Sequence, residues 1–311
     1  MHPDWIVPDW PAPAHVRALV TTRSGGVSRP PYDSLNPASH VGDDPAAVVE
    51  NRRILRQSLP AEPLWLNQVH GTRVFELLLP TLTLPTRGEG IYTHGKGTGP
   101  STARGEGTGS SPTRGGGWEG EEPNTTGPGP AYPGLFQPAE ITPEADASFT
   151  RQPGQVCTVL TADCLPVLFC DEAGTVVAGA HAGWRGLAGG VLEETVRAMN
   201  VAPDRILAWL GPAIGPDSFE VGPEVREAFV THNEMAGIAF RPALPGTLDE
   251  APRKWLADLY MLARIRLAGI GVERVHGGGA CTFKDARRFF SYRREARTGR
   301  MASLIWITPT A

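Results

Sequence analysis

Three short stretches of this chain set a reactive side chain where an apolar run gives way to a turn. In Asn67-Gln68-Val69-His70-Gly71, His70 closes the run and Gly71 opens the turn. In Thr161-Ala162-Asp163-Cys164-Leu165-Pro166, Asp163 and Cys164 stand between two apolar segments. In Ala180-His181-Ala182-Gly183-Trp184-Arg185-Gly186, a histidine and an arginine sit among small residues. Loops at strand ends are where a rigid scaffold displays functional groups. Two imidazoles and one thiolate are the donor set of a catalytic zinc centre with an open fourth position. Such a centre would carry a net charge of about +1 and make water a usable nucleophile near neutral pH. The same residues also allow a metal-free reading, with Cys164 as nucleophile, His181 as its base and Asp163 nearby. Spacing does not choose between the two.

Other segments offer anion-binding chemistry. Arg23 lies in Thr21-Thr22-Arg23-Ser24-Gly25-Gly26-Val27-Ser28, a glycine-containing turn able to cradle a phosphate, although its spacing fits no P-loop. Gly183 and Gly186 let the backbone approach a bound group closely, and the helix expected after them favours an anion at its N-terminus. Phe289-Phe290-Ser291-Tyr292-Arg293-Arg294 mixes aromatics and cations that can stack a heterocycle, bind phosphate or form a half-buried strand.

These residues need strands and helices to bring them together. Residues 16–22, 64–70, 72–79, 156–161, 165–170, 175–181 and 303–307 read as strands. Asp43-Asp44-Pro45 opens a helix reaching about Gln57, with an acidic cap and proline in the first turn. Further helices are expected at 187–199 and 223–232, and where Trp255, Leu259, Leu262 and Ile265 repeat before Gly269. The elements do not alternate strictly, so a mixed α/β domain with helices flanking its sheet is expected. From about residue 82 to 140 the chain is rich in Gly, Pro and Thr and poor in aliphatic residues, which reads as a disordered insertion interrupting one catalytic domain spanning 1–311.

Composition narrows the function classes. The chain is 41% hydrophobic and 20% charged, with 29 Lys+Arg against 33 Asp+Glu, so no basic surplus points to a nucleic-acid partner. No apolar run reaches the roughly 18 residues of a membrane span. The N-terminal residues lack a signal-peptide pattern. A cytoplasmic enzyme without an obligate protein partner is expected. The four cysteines, Cys157, Cys164, Cys170 and Cys281, read as buried thiols or ligands rather than a disulfide framework.

With these residues assembled, the chain closely resembles the YfiH / laccase-domain-containing family. The resemblance rests on TTRSGGVS (Thr21–Ser28), SLN (Ser34–Asn36), NQVHG (Asn67–Gly71), EADASFT (Glu144–Thr150) and TADCLPVLF (Thr161–Phe169). It continues through AGAHAGWRGL (Ala178–Leu187), GPAIGPDSFEVG (Gly211–Gly222), Cys281-Thr282 and Phe289–Trp306. It covers nearly the whole chain except the insertion. It implies a YfiH-type α/β fold and a zinc held by His70, Cys164 and His181. The implied activities are phosphorolysis of adenosine, inosine, guanosine and methylthioadenosine, and deamination of adenosine. For deamination, a metal-activated water would attack C6 of the purine. For phosphorolysis, phosphate would attack C1′ of the ribose, with Arg23, Arg185 and Arg293 as phosphate ligands in that order and Asn67 as a further substrate contact. Asp163 is the carboxylate nearest in sequence to a ligand, either as a catalytic group or as a partner orienting His70 or His181. The family's older polyphenol-oxidase label is tested by the eight histidines, which include no HxH pair of the kind that feeds a trinuclear copper cluster. A mononuclear copper site remains an alternative to zinc.

Overall fold

The computed structural model describes residues 2–78, 142–243 and 254–309. The expected insertion at about 82–140 lies outside the described residues. Among the described residues, twelve strands and five α-helices follow one another in chain order. They are β1 (Val16–Val20), α1 (Pro45–Arg56), β2 (Val74–Glu76), β3 (Ala147–Thr150), β4 (Val156–Thr161), β5 (Leu165–Asp171) and β6 (Val177–Ala182). Then come α2 (Trp184–Gly189), α3 (Val191–Met199), β7 (Ile206–Leu210), β8 (Glu220–Val221), α4 (Pro223–Val230) and β9 (Phe240–Pro242). The last are β10 (Trp255–Ala257), α5 (Leu259–Gly269), β11 (Arg274–Gly277) and β12 (Met301–Ile307).

A six-stranded sheet in the order β11-β7-β5-β6-β3-β2 forms the centre. Its inner pairs β5/β6, β5/β7 and β3/β6 are antiparallel, and its two edge pairs, β11/β7 and β2/β3, are parallel. The sheet is therefore mixed, as the irregular alternation of elements predicts. A second sheet, β1-β12-β4, is wholly antiparallel. A small third sheet runs β8-β10-β9.

Side-chain alternation explains the layering. On β5, Leu165, Val167 and Phe169 point into a core shared with α3, α4 and α5, whereas Leu168 and Cys170 point toward Cys157, Ile305 and Ile307 of the second sheet. Both faces of β5 are covered, and all seven of its residues are buried. The far side of the second sheet, with Leu19, Val156, Leu160 and Leu304, packs against Leu55 of α1 and Trp65. Among the described residues, no helix is long and apolar enough to cross a membrane.

Several elements follow the sequence closely. β4 spans the expected residues, and α1 begins at Pro45 with the Asp44 carboxylate accepting a hydrogen bond from Ala46 N at 2.9 Å. Others do not. The expected strand at 64–70 is absent; Asn67 makes only an isolated bridge to Glu144. In its place the Gln68 side-chain amide donates to Leu160 O and accepts from Leu160 N, both at 2.8 Å. That amide acts as a surrogate strand partner beside β4, so the segment carries the apolar residues of a strand without its ladder. The expected strand at 72–79 is shortened to Val74–Glu76, and Leu79 lies outside the described residues. The single helix expected at 187–199 is two, because Gly190 adopts φ +101° between α2 and α3. Trp255 belongs to β10, and Asp258 caps α5 by accepting from Met261 N at 3.0 Å.

Candidate metal and active site

The three candidate donors converge. His70 comes from the loop before β2, Cys164 from the turn between β4 and β5, and His181 from within β6. One ligand atom from each lies within 4.8 Å of the others. Cys164 Sγ stands 3.7 Å from His70 Nε2, and the two imidazole centroids are 4.7 Å apart. His181 is buried and His70 exposed, so the cluster opens to solvent on one side. β-Sheet register accounts for part of this: Pro166 pairs with His181 and Leu165 with Ala182, which brings Cys164 beside Gly183. A Cβ on Gly183 would lie 2.7 Å from His70 Cδ2 and 2.9 Å from Cys164 Sγ. The glycine thus makes room for two of the candidate donors, and Gly186 packs under Gly71 O.

A residue not singled out from the sequence organises the cluster. Asp146, fully buried immediately before β3, accepts from His181 Nδ1 at 2.8 Å through Oδ1. The same carboxylate accepts from the main-chain nitrogens of His70 at 2.9 Å, Gly71 at 2.6 Å and Val69 at 3.2 Å. The bond to His181 Nδ1 assigns the proton there and turns Nε2 toward the cluster. The amide bonds hold His70 at φ +60°, a backbone region that non-glycine residues seldom occupy. The available signal was a carboxylate between alanines opening a buried strand (Ala145-Asp146-Ala147), which has to be paired if it is ionised.

Charge follows geometry. Burial opposes ionisation of Cys164, but the neighbouring His181 and His70 overcome it and bring the thiol down to about 6. Burial likewise opposes protonation of His181, yet the Cys164 thiolate and the Asp146 carboxylate raise it to about 9. Asp146 is held below the usual carboxylate range: burial pushes upward, and His181 with the amides of Gly71 and His70 outweighs it. The metal-free cluster is thus a thiolate–imidazolium–carboxylate relay. Cys157 and Cys170 differ, with burial pushing both thiols up to about 12.

The other expected site residues fare unevenly. Asp163 is adjacent to Cys164, but its carboxylate is taken up by Thr282 Oγ1 at 2.6 Å, Ser291 Oγ at 3.0 Å and Arg293 N at 2.6 Å. It orients neither histidine through these bonds; for His181 that part falls to Asp146. Arg23, the first choice for phosphate, has its guanidinium bound to Asp33 O, Asp33 Oδ1 and Ala286 O and set over the Phe290 ring. Each of its three nitrogens makes one bond within the fold, so Arg23 is less free than an unbonded arginine to reach a phosphate. Arg185 is exposed and stacks on Trp184 immediately after the Gly183 turn. Arg293 is exposed and bonds Glu220 O at 2.9 Å. Asn67 is exposed on the loop that carries His70, its backbone paired with Pro143 and Ala145. A cavity of about 410 Å³ beside Cys281 and Lys284 is lined by none of the three donors.

Comparison with known proteins places this geometry. A family model described as multi-copper polyphenol oxidoreductase laccase matches residues 17–100 and 125–308. The chain belongs to that YfiH-type laccase-domain family. Among members of the family, the chain is 48% identical over 303 residues to purine nucleoside phosphorylase PA4543 of Pseudomonas aeruginosa, covering 97% of this chain and 98% of that protein. It is 46% identical over 304 residues to purine nucleoside phosphorylase YfiH of Escherichia coli K12, with the same coverage. The crystal structure of Neisseria meningitidis protein NMB0706 superposes with TM-score 0.73 at 42% identity, covering 98% of this chain and all of that one. YlmD from Geobacillus stearothermophilus superposes with TM-score 0.67 at 27% identity, over 95% of this chain and 93% of that one.

Proposed function

We propose that this member of the laccase-domain family is a zinc-dependent purine nucleoside phosphorylase. In this reading it cleaves adenosine, inosine, guanosine and methylthioadenosine to base and pentose 1-phosphate, and also deaminates adenosine. The observation that carries the reading is the His70–Cys164–His181 cluster braced by Asp146, on a chain similar along 97% of its length to proteins named purine nucleoside phosphorylase. Two imidazoles and a thiolate, with the second imidazole nitrogen of His181 bound to a buried carboxylate, suit zinc by donor softness and by outer support. When bound, zinc supplies Lewis acidity and activates water.

The chain's own groups do the rest. His181 is kept in one tautomer by Asp146, and Cys164 is kept ionised. Arg185 and Arg293 are the exposed cations of this set and would hold the attacking phosphate, whose charge a guanidinium matches in bidentate fashion. In phosphorolysis a phosphate oxygen bonds to C1′ as the bond from C1′ to the purine nitrogen breaks and the base leaves with that electron pair. Asn67 lies on the same loop as His70 and would contact the nucleoside. We place the whole chain in one catalytic domain in the cytoplasm, a setting consistent with four free cysteines.

Products with and without phosphate test the proposal. Adenine formed only when phosphate is present supports phosphorolysis, inosine reports deamination, and hypoxanthine reports both in sequence. No conversion of any of the four nucleosides by protein loaded with zinc would overturn it. The ionised Cys164 beside His181 and Asp146 also supports a second reading, a metal-free cysteine nucleophile. Turnover that survives EDTA in protein shown to lack zinc and copper would favour that reading. Stoichiometric copper with phenol oxidation would instead favour the chemistry in the family model's description.

A further inference from the structure

Asp163 adopts φ +98°, in the left-handed region that disfavours a side chain. It stands immediately before the thiol donor, and nothing in the chemistry above uses its carboxylate. Backbone held in such a region persists only where its surroundings over-determine it, and those surroundings are visible. The Asp163 carbonyl accepts from Ile214 N at 2.9 Å. Its carboxylate accepts from Thr282 and Ser291, both fully buried, and from Arg293 N. The segment supplying those three donors is itself braced, with Thr282 N bonded to Ala213 O and Arg294 bonded to Thr282 O and Phe289 O.

This repeats the arrangement on the other side of the cluster. His70 also has positive φ, and the amides around it are gathered by Asp146. In each case a carboxylate pins an unfavourable backbone conformation at or next to a donor. The tolerance is small, because Cys164 Sγ faces Gly183 across a gap that one added carbon would close to 2.9 Å.

We propose that Asp163 is a positioning residue rather than a proton carrier: by tying the turn between β4 and β5 to Thr282, Ser291 and Arg293, it aims Cys164 at His70 and His181. This rests on the metal reading only for what Cys164 then binds. The placement of the thiol itself is independent of any metal.

Asp163→Gly removes the carboxylate while relieving the backbone penalty, so a purely structural role predicts a well-folded protein with an unchanged site. Two measurements read the site directly. One is the rate of iodoacetamide alkylation of Cys164 at pH 7 in metal-free protein, with peptide mapping to assign the cysteine. The other is the thiolate-to-metal charge-transfer absorption after loading with Co2+. We expect Asp163→Gly to keep its circular-dichroism spectrum, lose about tenfold in alkylation rate and lose most of the Co2+ band. Wild-type values of both would overturn the proposal. If Asp163→Gly does not fold, Thr282→Val and Thr282→Ser decide: Ser should retain both signals and Val should weaken both, and equal wild-type behaviour of the two would overturn it. Wild-type protein that takes up no Co2+ would count against the metal reading, and the alkylation contrast would still decide on Asp163.

Discussion

Asp146 Oδ1 and His181 Nδ1 are joined at 2.8 Å inside the protein, and the same carboxylate collects the backbone amides of the loop that presents His70. One side chain therefore fixes two of the three donors, one through its imidazole and the other through its main chain.

Asp146→Asn should weaken metal binding by about 10- to 100-fold, the usual cost of losing a partner that orients a ligand. Competition against a chromophoric zinc chelator measures it. An affinity unchanged within twofold would remove Asp146 from the support of the site. The same substitution should slow His70-dependent turnover, because an amide group cannot accept from all four donors at once.

How much of this was legible beforehand differs residue by residue. His70, Cys164 and His181 stood out because each is a reactive group at or near the end of an apolar run, although the run ending at His70 forms no strand and His181 lies within β6. β4 and β5 were legible from their apolar runs. Gln68 was not, because its role depends on a side chain imitating a strand, which hydrophobic periodicity does not encode. Arg23, an arginine in a glycine-rich turn, looks fully available for phosphate in the sequence, whereas in the fold its guanidinium is partly taken up. What occupies it includes the carbonyl of Ala286, separated from it by 263 positions. Asp146 was visible as a residue but not as a partner, since its four donors come from residues 69–71 and 181.

The electrostatics give a pH signature in metal-free protein. Cys164 is depressed to about 6, so its alkylation rate should stay high down to roughly that pH, where an ordinary thiol near 8.5 would already be protonated. For stability, the folded pair holds one proton between about 6 and 9, as the unfolded Cys and His together do between roughly 6.5 and 8.5. The pair's contribution is therefore flat across that window. Below it the unfolded chain binds the extra proton, and stability falls as pH drops. Above it the unfolded thiol ionises while His181 stays protonated, and stability falls as pH rises. Urea titrations from pH 5 to 10 on wild type and Cys164→Ser, compared as a difference, isolate this term; a difference sloping steadily through neutral pH would contradict the ion pair.

Gly183→Ala should cost the site more than the fold. The added carbon meets His70 and Cys164 rather than core, and the exposed His70 ring has room to swing aside. Overpacking of this kind costs about 1–3 kcal/mol when neighbours cannot move and less when they can. We expect a small change in melting temperature with loss of bound zinc, measured by elemental analysis. Full zinc occupancy in the variant would show that the donors do not need their present spacing.

Arg23→Ala and Arg185→Ala should separate fold from substrate. Arg23 makes three hydrogen bonds and its side chain is 14% exposed, so its loss should cost about 1–3 kcal/mol of stability. Arg185 stacks only on its neighbour Trp184 among the contacts described, so its loss should leave the melting temperature alone and raise the KM for phosphate about tenfold or more. The opposite pattern, a stable Arg23→Ala with a raised phosphate KM, would favour Arg23 as the anion ligand.

The ties from Asp163 to Thr282, Ser291 and Arg293 also bear on how the protein is made. The ribosome finishes His70, Cys164 and His181 more than 100 residues before it reaches Thr282, and β12, which lies between β1 and β4, comes later still. A nascent chain stalled in that interval holds His70, Cys164 and His181 and lacks the residues proposed to aim the thiol. On the proposed metal reading and the proposed role of Asp163, metal capture in the native arrangement would wait for residues 282–293, and truncation before them would damage a centre whose candidate donors all lie in the first two-thirds of the chain.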